Sequence, residues 1–286
     1  MKELQTSSKT VTLYLIFCHD YGKKIPNRNE DILVKEKLYT IPLNDALNAN
    51  DECPFCFVER DIEQDLLDFC LGSGSSYMES DIRDATDKEG FCRTHFKKMF
   101  DYGNTLGNAW ILKTHYKKIN EELKKVTSSY SPTKTSLMGK FKKNAESVNP
   151  IGIWVQEREQ SCYICNRFKD TYARYLDTFF VMYKKDKEFR DKIASGKGFC
   201  LTHFGNLCEE AEKQLNDKEK SQFFPMVSKV MCENMNRLFE DVSWMVEKFD
   251  YRNQDADWKN SKDAIQRGMQ KLKGGYPADA VYKMKK

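Results

Sequence analysis

Gly198-Phe199-Cys200-Leu201-Thr202-His203-Phe204 decides how this chain is read. Gly90-Phe91-Cys92-Arg93-Thr94-His95-Phe96 matches it at six of seven positions. Upstream of each copy stands a C-x-x-C: Cys53-Pro54-Phe55-Cys56 before the first, Cys162-Tyr163-Ile164-Cys165 before the second. The copies are offset by 109 residues at the C-x-x-C and by 108 at the C-x-x-H. One unit therefore occurs twice: C-x-x-C, about 35 residues, then G-F-C-x-T-H-F.

Thiolates and imidazoles are what Zn²⁺ takes in closed tetrahedral sites, and a C-x-x-C brings two sulfurs to one ion without strain. Where such a motif opens a helix, free backbone N–H groups and the helix dipole favour the thiolate. C-x-x-H at a helix start offers the second pair of ligands in the same way. The glycine before Phe-Cys suits a turn that a side chain would crowd. The expected ligands are Cys53, Cys56, Cys92, His95, Cys162, Cys165, Cys200 and His203. They form two Cys3His sites and hold two zinc ions per chain. A [2Fe–2S] cluster on three cysteines and one histidine is the alternative. The similar intervals, 35 and 34 residues, favour local closure, each C-x-x-C pairing with the C-x-x-H of its own copy. Pairing of the first C-x-x-C with the second C-x-x-H is the other arrangement. Zinc with three thiolates carries a formal charge of −1, which Arg93, Lys97, Lys98 and Arg167 are placed to offset.

Other readings of these motifs fit less well. A glutaredoxin dithiol needs a buried strand before the C-x-x-C and a βαβ pattern after it, and neither is present. A finger-type nucleic-acid reader has about twelve residues between its ligand pairs and a basic helix for the groove. Here the gap is nearly three times that and largely acidic in the first copy, and a net charge of +4 does not by itself argue for nucleic acid. The lysines of 140–143 read as a solvated run. Ten cysteines in a chain of 286 residues, six of them in metal-type spacings, point to a reducing cytoplasm and not to a disulfide framework. Cys18, Cys70, Cys208 and Cys232 read as small buried hydrophobes.

The hydrophobic pattern is helical almost throughout. Helices are expected over 53–71, 77–85, 91–100, 105–126, 162–184, 189–194 and 200–215. A long one is expected through Val227, Met231, Asn234, Leu238, Val242, Met245 and Phe249, an apolar stripe broken only by Asn234. Residues 257–273 are expected to be helical too, and Asn44 or Asp45 to cap a short helix. Only Val11–Phe17 reads as a strand or short helix. That apolar run is too short to span a bilayer and lacks the small residues of a cleavage site. The organisation expected is an N-terminal extension (1–36), a first unit (37–126), a Ser/Thr/Lys-rich linker (127–150), a second unit (151–250), and a C-terminal helix with a basic tail (251–286). The fold class is mainly α: two tandem helical units from an internal duplication, each stapled by a Cys3His metal site.

Further polar residues stand out less. His115 lies on the stripe Ile111, His115, Ile119, Leu123 and reads as a core histidine or as a hydrogen-bond partner of the first metal site. Glu79, Asp81, Arg83 and Asp84 read as a charged helix surface with i,i+4 pairing.

The string Tyr39-Thr-Ile-Pro-Leu-Asn-Asp-Ala, Cys53-Pro-Phe-Cys56, Tyr77-Met-Glu-Ser-Asp-Ile-Arg83 and Gly90-Phe-Cys-Arg-Thr-His95 resembles a family of uncharacterised bacterial proteins, the domain of unknown function 6062. Its members are sometimes labelled ABC-transporter substrate-binding proteins. That label agrees poorly with a sequence that has no export signal and no α/β periodicity. The resemblance covers roughly 37–275 and implies no activity, so no catalytic residue follows from it. It draws Asp81 and Arg83 into a shared string.

The sequence thus predicts a zinc-binding helical scaffold or interaction protein, with an iron–sulfur or thiol redox protein and a metal or metalloid sensor as alternatives. Closed four-ligand zinc has no open position, so no chemistry is expected at the metal. A protein or a small ligand is the expected partner, and the stripe of 227–249 is either core or a dimer seam.

Overall fold

A computed structural model describes residues 28–74, 76–131 and 149–277, with the backbone alone for 28–37. Among the described residues the regular elements are eleven α-helices and two short 3₁₀ turns, with no strand. The strand or helix expected at 11–17, Cys18, residues 132–148 of the expected linker with the lysines of 140–143, and the tail from 278 lie outside the described residues.

In chain order the helices are α1 (Arg28–Asn48), α2 (Pro54–Leu71), α3 (Ser80–Glu89), α4 (Arg93–Tyr102), α5 (Thr105–Ser128), α6 (Pro150–Glu159), α7 (Tyr163–Lys185), α8 (Lys187–Ser195), α9 (Leu201–Gln214), α10 (Asp217–Glu247) and α11 (Ala264–Lys273). Their boundaries follow local chemistry. Pro54 occupies the first turn of α2, where its missing N–H costs nothing. Asn104 caps α5 by accepting from the Gly107 N–H. Asn216 and Glu219 close a reciprocal capping box on α10.

Three expectations change. Residues 38–48 are the end of a long helix with Pro42 inside it, so no short helix starts at a cap on Asn44 or Asp45. The Asn44 side chain instead donates to the Thr40 carbonyl. Helix α10 starts ten residues before Val227, because its cap at Asn216 outweighs the interior Pro225. It ends at Glu247, leaving Phe249 beyond it and 80% exposed. The last helix is confined to α11, since 257–263 form turns.

Contacts divide the described residues into two compact units. One takes residues up to 61 together with those from 172 to 277, and the other takes 62–171. The divisions fall inside α2 and α7, so each unit takes the C-x-x-C of one copy and the C-x-x-H of the other.

The first unit is built on aromatic rings. Phe55, Phe179, Phe180, Phe189, Phe199 and Phe223 are all fully buried. Phe55 lies 5.5 Å from Phe179, and Phe180 5.6 Å from Phe223, centroid to centroid. Both are tilted pairs, and Phe179 meets Phe189 edge-on, arrangements that the ring quadrupole favours. Two of these rings come from the repeated motifs themselves: Phe55 sits inside the first C-x-x-C, and Phe199 precedes Cys200. In the second unit Leu66, Leu67, Leu71, Met99, Tyr102, Ile111 and Tyr163 form the core. Tyr102 donates to Asp68 across it at 2.7 Å.

Candidate metal centres

Each of the four motifs opens a helix. Cys53, Cys92, Cys162 and Cys200 stand immediately before α2, α4, α7 and α9. Cys92 and Cys200 are N-caps with near-identical extended backbones, φ −72° and −71°. The Cys200 sulfur accepts the His203 N–H at 3.4 Å, and the Cys162 sulfur accepts the Cys165 N–H at 3.5 Å. The unpaired N–H groups of a first helical turn thus point at sulfur, which stabilises thiolate there.

The eight side chains gather into two groups of four. In the first unit Cys53, Cys56, Cys200 and His203 bring their ligand atoms within 4.8 Å of one another; in the second, Cys92, His95, Cys162 and Cys165 do the same. Closure is therefore crossed, and local closure is overturned. Element lengths explain it. The helices that follow the two C-x-x-C motifs have 18 and 23 residues, about 27 and 35 Å at the helical rise. The returning helices have only 10 and 9, about 15 and 14 Å. The chain does not come back to its starting point within one copy, so each C-x-x-C meets the C-x-x-H of the other.

Distances within the groups are nearly the same. His203 Nδ1 lies 3.3, 3.5 and 3.1 Å from the sulfurs of Cys53, Cys56 and Cys200. His95 Nδ1 lies 3.3 Å from each of Cys92, Cys162 and Cys165. Cys56 to Cys200 and Cys92 to Cys165 are both 3.8 Å, sulfur to sulfur. A tetrahedral ion with bonds of about 2.3 Å to sulfur and 2.0–2.1 Å to nitrogen would separate its ligands by about 3.8 Å (S···S) and about 3.5 Å (S···N). The residues present fit a single such ion.

Both histidines turn Nδ1 to the sulfurs and donate from Nε2 to a glutamate: His203 to Glu59 and His95 to Glu63, each at 3.1 Å. Such an acceptor fixes the tautomer and orients the ring. The sequence reading missed both glutamates. Their spacing of four residues on α2 is the only signal they leave, and it is common on any helix.

Proton affinities reflect crowded sulfurs. Hydrogen bonds that the Cys56 thiol donates to Cys200 and Cys53, then burial, push it up. The same contacts with Cys53 and Cys56 hold Cys200 down against burial. Burial pushes Cys165 up to about 12. At Cys162 burial also acts upward, but hydrogen bonds from His95 and two backbone amides outweigh it and bring the thiol to about 6. Burial would lower His95, yet its contacts with Cys162 and Glu63 raise it to about 10. Each group shares its protons as a cluster would, and a divalent cation replaces such protons.

The two surroundings differ. Beside the first group Glu52 is 1% exposed and faces Arg237 and Lys271, with Lys271 equally buried. The Lys271 ammonium donates to the carbonyls of Glu52 and Lys197, clamping α11 against the turn that leads into Cys53. In the second group Tyr163 N–H donates to the Gly90 carbonyl at 2.9 Å, joining the two motifs by backbone. Arg167 pairs with Glu89 and lies over the Tyr163 ring.

Among the remaining candidates, Cys70 is a buried thiol raised to about 12 by burial, as a small hydrophobe should be. Cys208 is half-buried and Cys232 is exposed, so the buried reading fails for Cys232. His115 does not reach a metal group; its ring packs against Gly90 and Asp87. Arg83 donates to the carbonyls of Tyr77 and Met78, securing the turn before α3, while Asp81 is exposed.

No described helix is long and apolar enough to cross a membrane. No curated protein and no solved structure matches the chain. One family does match, over residues 34–279: the chain belongs to the family of unknown function DUF6062.

Proposed function

We propose that the protein is a helical scaffold or interaction protein in which Cys53, Cys56, Cys200 and His203 hold one zinc ion and Cys92, His95, Cys162 and Cys165 hold another. The observation that carries this is the ligand spacing, 3.1–3.5 Å from nitrogen to sulfur and 3.8 Å between sulfurs, repeated in both groups. It suits one tetrahedral ion. A two-iron cluster interposes a second metal and two sulfides, and its opposing ligands must stand farther apart. Four protein ligands close the coordination sphere, so the metal's role is to staple helices. Each staple joins segments remote in sequence, the case in which a cross-link removes most freedom from the unfolded chain. The free state of the nine described cysteines supports a reducing, cytoplasmic setting.

Elemental analysis with an absorption spectrum, on protein purified without oxygen, tests the reading. Two zinc per chain and no visible band are expected. Iron with acid-labile sulfide and charge-transfer bands would replace it with the iron–sulfur alternative.

A further inference from the structure

The two centres differ in access. All four ligands of the first are buried: Cys53 and Cys200 at 0%, Cys56 at 1% and His203 at 2% exposure. The end of α11 seals them. Gly274, at φ +78°, lies so close that a Cβ there would be 3.5 Å from the Cys200 sulfur and 3.6 Å from that of Cys56. In the second centre His95 and Cys162 are buried, but Cys92 and Cys165 are partly open to solvent. These two open thiols are the pair that lies 3.8 Å apart, sulfur to sulfur. They close to a disulfide by moving about 1.8 Å.

We infer that Cys92 and Cys165 form a modification site for small hydroperoxides, and that their oxidation releases the metal of the second centre while the first keeps its own. This rests on the two-zinc reading above. With hydrogen peroxide, one thiolate attacks a peroxide oxygen and becomes a sulfenic acid, and hydroxide leaves (an organic hydroperoxide loses its alkoxide instead and yields an alcohol in place of one water). The second thiolate attacks that sulfur, forms the disulfide and expels a second hydroxide. With two protons the products are one disulfide and two waters, and the peroxide has taken up two electrons. Only His95 and Cys162, two of the four ligands, would then remain to hold the ion, too few to keep it in place. A thiol reductant and zinc restore the centre. The sealed sulfurs of the first centre are the internal control, since oxidant access decides the order of reaction.

The test uses the full zinc-loaded chain. Hydrogen peroxide is added in the presence of a chromogenic zinc chelator, and thiols are alkylated with one reagent before reduction and another after it, then mapped by mass spectrometry. One zinc per chain should be released roughly tenfold or more faster than the second. The label added after reduction should fall on Cys92 and Cys165, and dithiothreitol with zinc should reverse the change. Release of both ions at one rate, post-reduction label on Cys53, Cys56 or Cys200 in the fast phase, or no peroxide-dependent release would overturn the inference and leave the two-zinc scaffold intact. A preparation that carries no zinc at the outset would overturn both.

Discussion

Cys53 and His203, 150 positions apart in the chain, stand 3.3 Å from sulfur to ring nitrogen. Residues 92 and 95, which complete the same copy of the motif, belong to the other centre. Paired substitutions read this pairing directly. Cys53→Ser with Cys200→Ser should cost one metal ion, because both act on one site, and leave one per chain. Cys53→Ser with Cys92→Ser should cost both. Local closure predicts the reverse, so a metal count on the two double variants decides between them.

Glu59 and Glu63 predict a second effect. Each accepts the Nε2 proton of one histidine, so neutralising it loosens the ring and lowers its basicity. Glu59→Gln should weaken zinc at the first centre, and Glu63→Gln at the second, by about tenfold or more. Competition with a chromophoric chelator measures this for each site. Unchanged affinity in both variants would mean that the glutamates merely face the histidines.

The two Cys/His groups were legible because metal-binding chemistry demands both residue type and spacing. Cysteine at i and i+3 and histidine at i+3 leave a signature no solvent-facing pattern imitates, and it occurs twice. Helix positions were legible from apolar period and turn residues; α2, α7 and α9 fall within a residue or two of expectation. The pairing was not. Two intervals of similar length look like two closed loops, and only the length of α2 and α7 against the short return shows otherwise. Lys271 and Glu52 were equally hidden, since a buried ion pair across 219 positions has no local trace.

Gly90 bears a third prediction. Its φ of 67° with ψ of −162° lies in a region only glycine adopts freely. A Cβ there would stand 3.2 Å from His115 Cε1. Gly90→Ala should therefore cost about 1–3 kcal/mol. Because the Gly90 carbonyl accepts from Tyr163, next to Cys162, the same variant should also weaken metal binding at the second centre. Chemical denaturation and a zinc titration of the variant check the two effects, and full stability would show that the turn relaxes.

His115 gives the last prediction, and its sign follows from its surroundings. Its Nδ1 is buried without a hydrogen-bond partner. Burial lowers its proton affinity, and the Arg158 charge acts in the same direction; Asp87 and Glu122 oppose without prevailing. The folded pKa thus lies below the unfolded value of about 6.5. Between the two values the unfolded chain binds more protons, so stability falls as pH drops from about 6.5 through the lowered folded pKa. The chain has four histidines, so the His115 ring is readily assigned by substitution. Its NMR titration should have a midpoint below the unfolded value. A midpoint at or above it would place a partner on Nδ1 and remove the acid-side loss of stability ascribed to this residue.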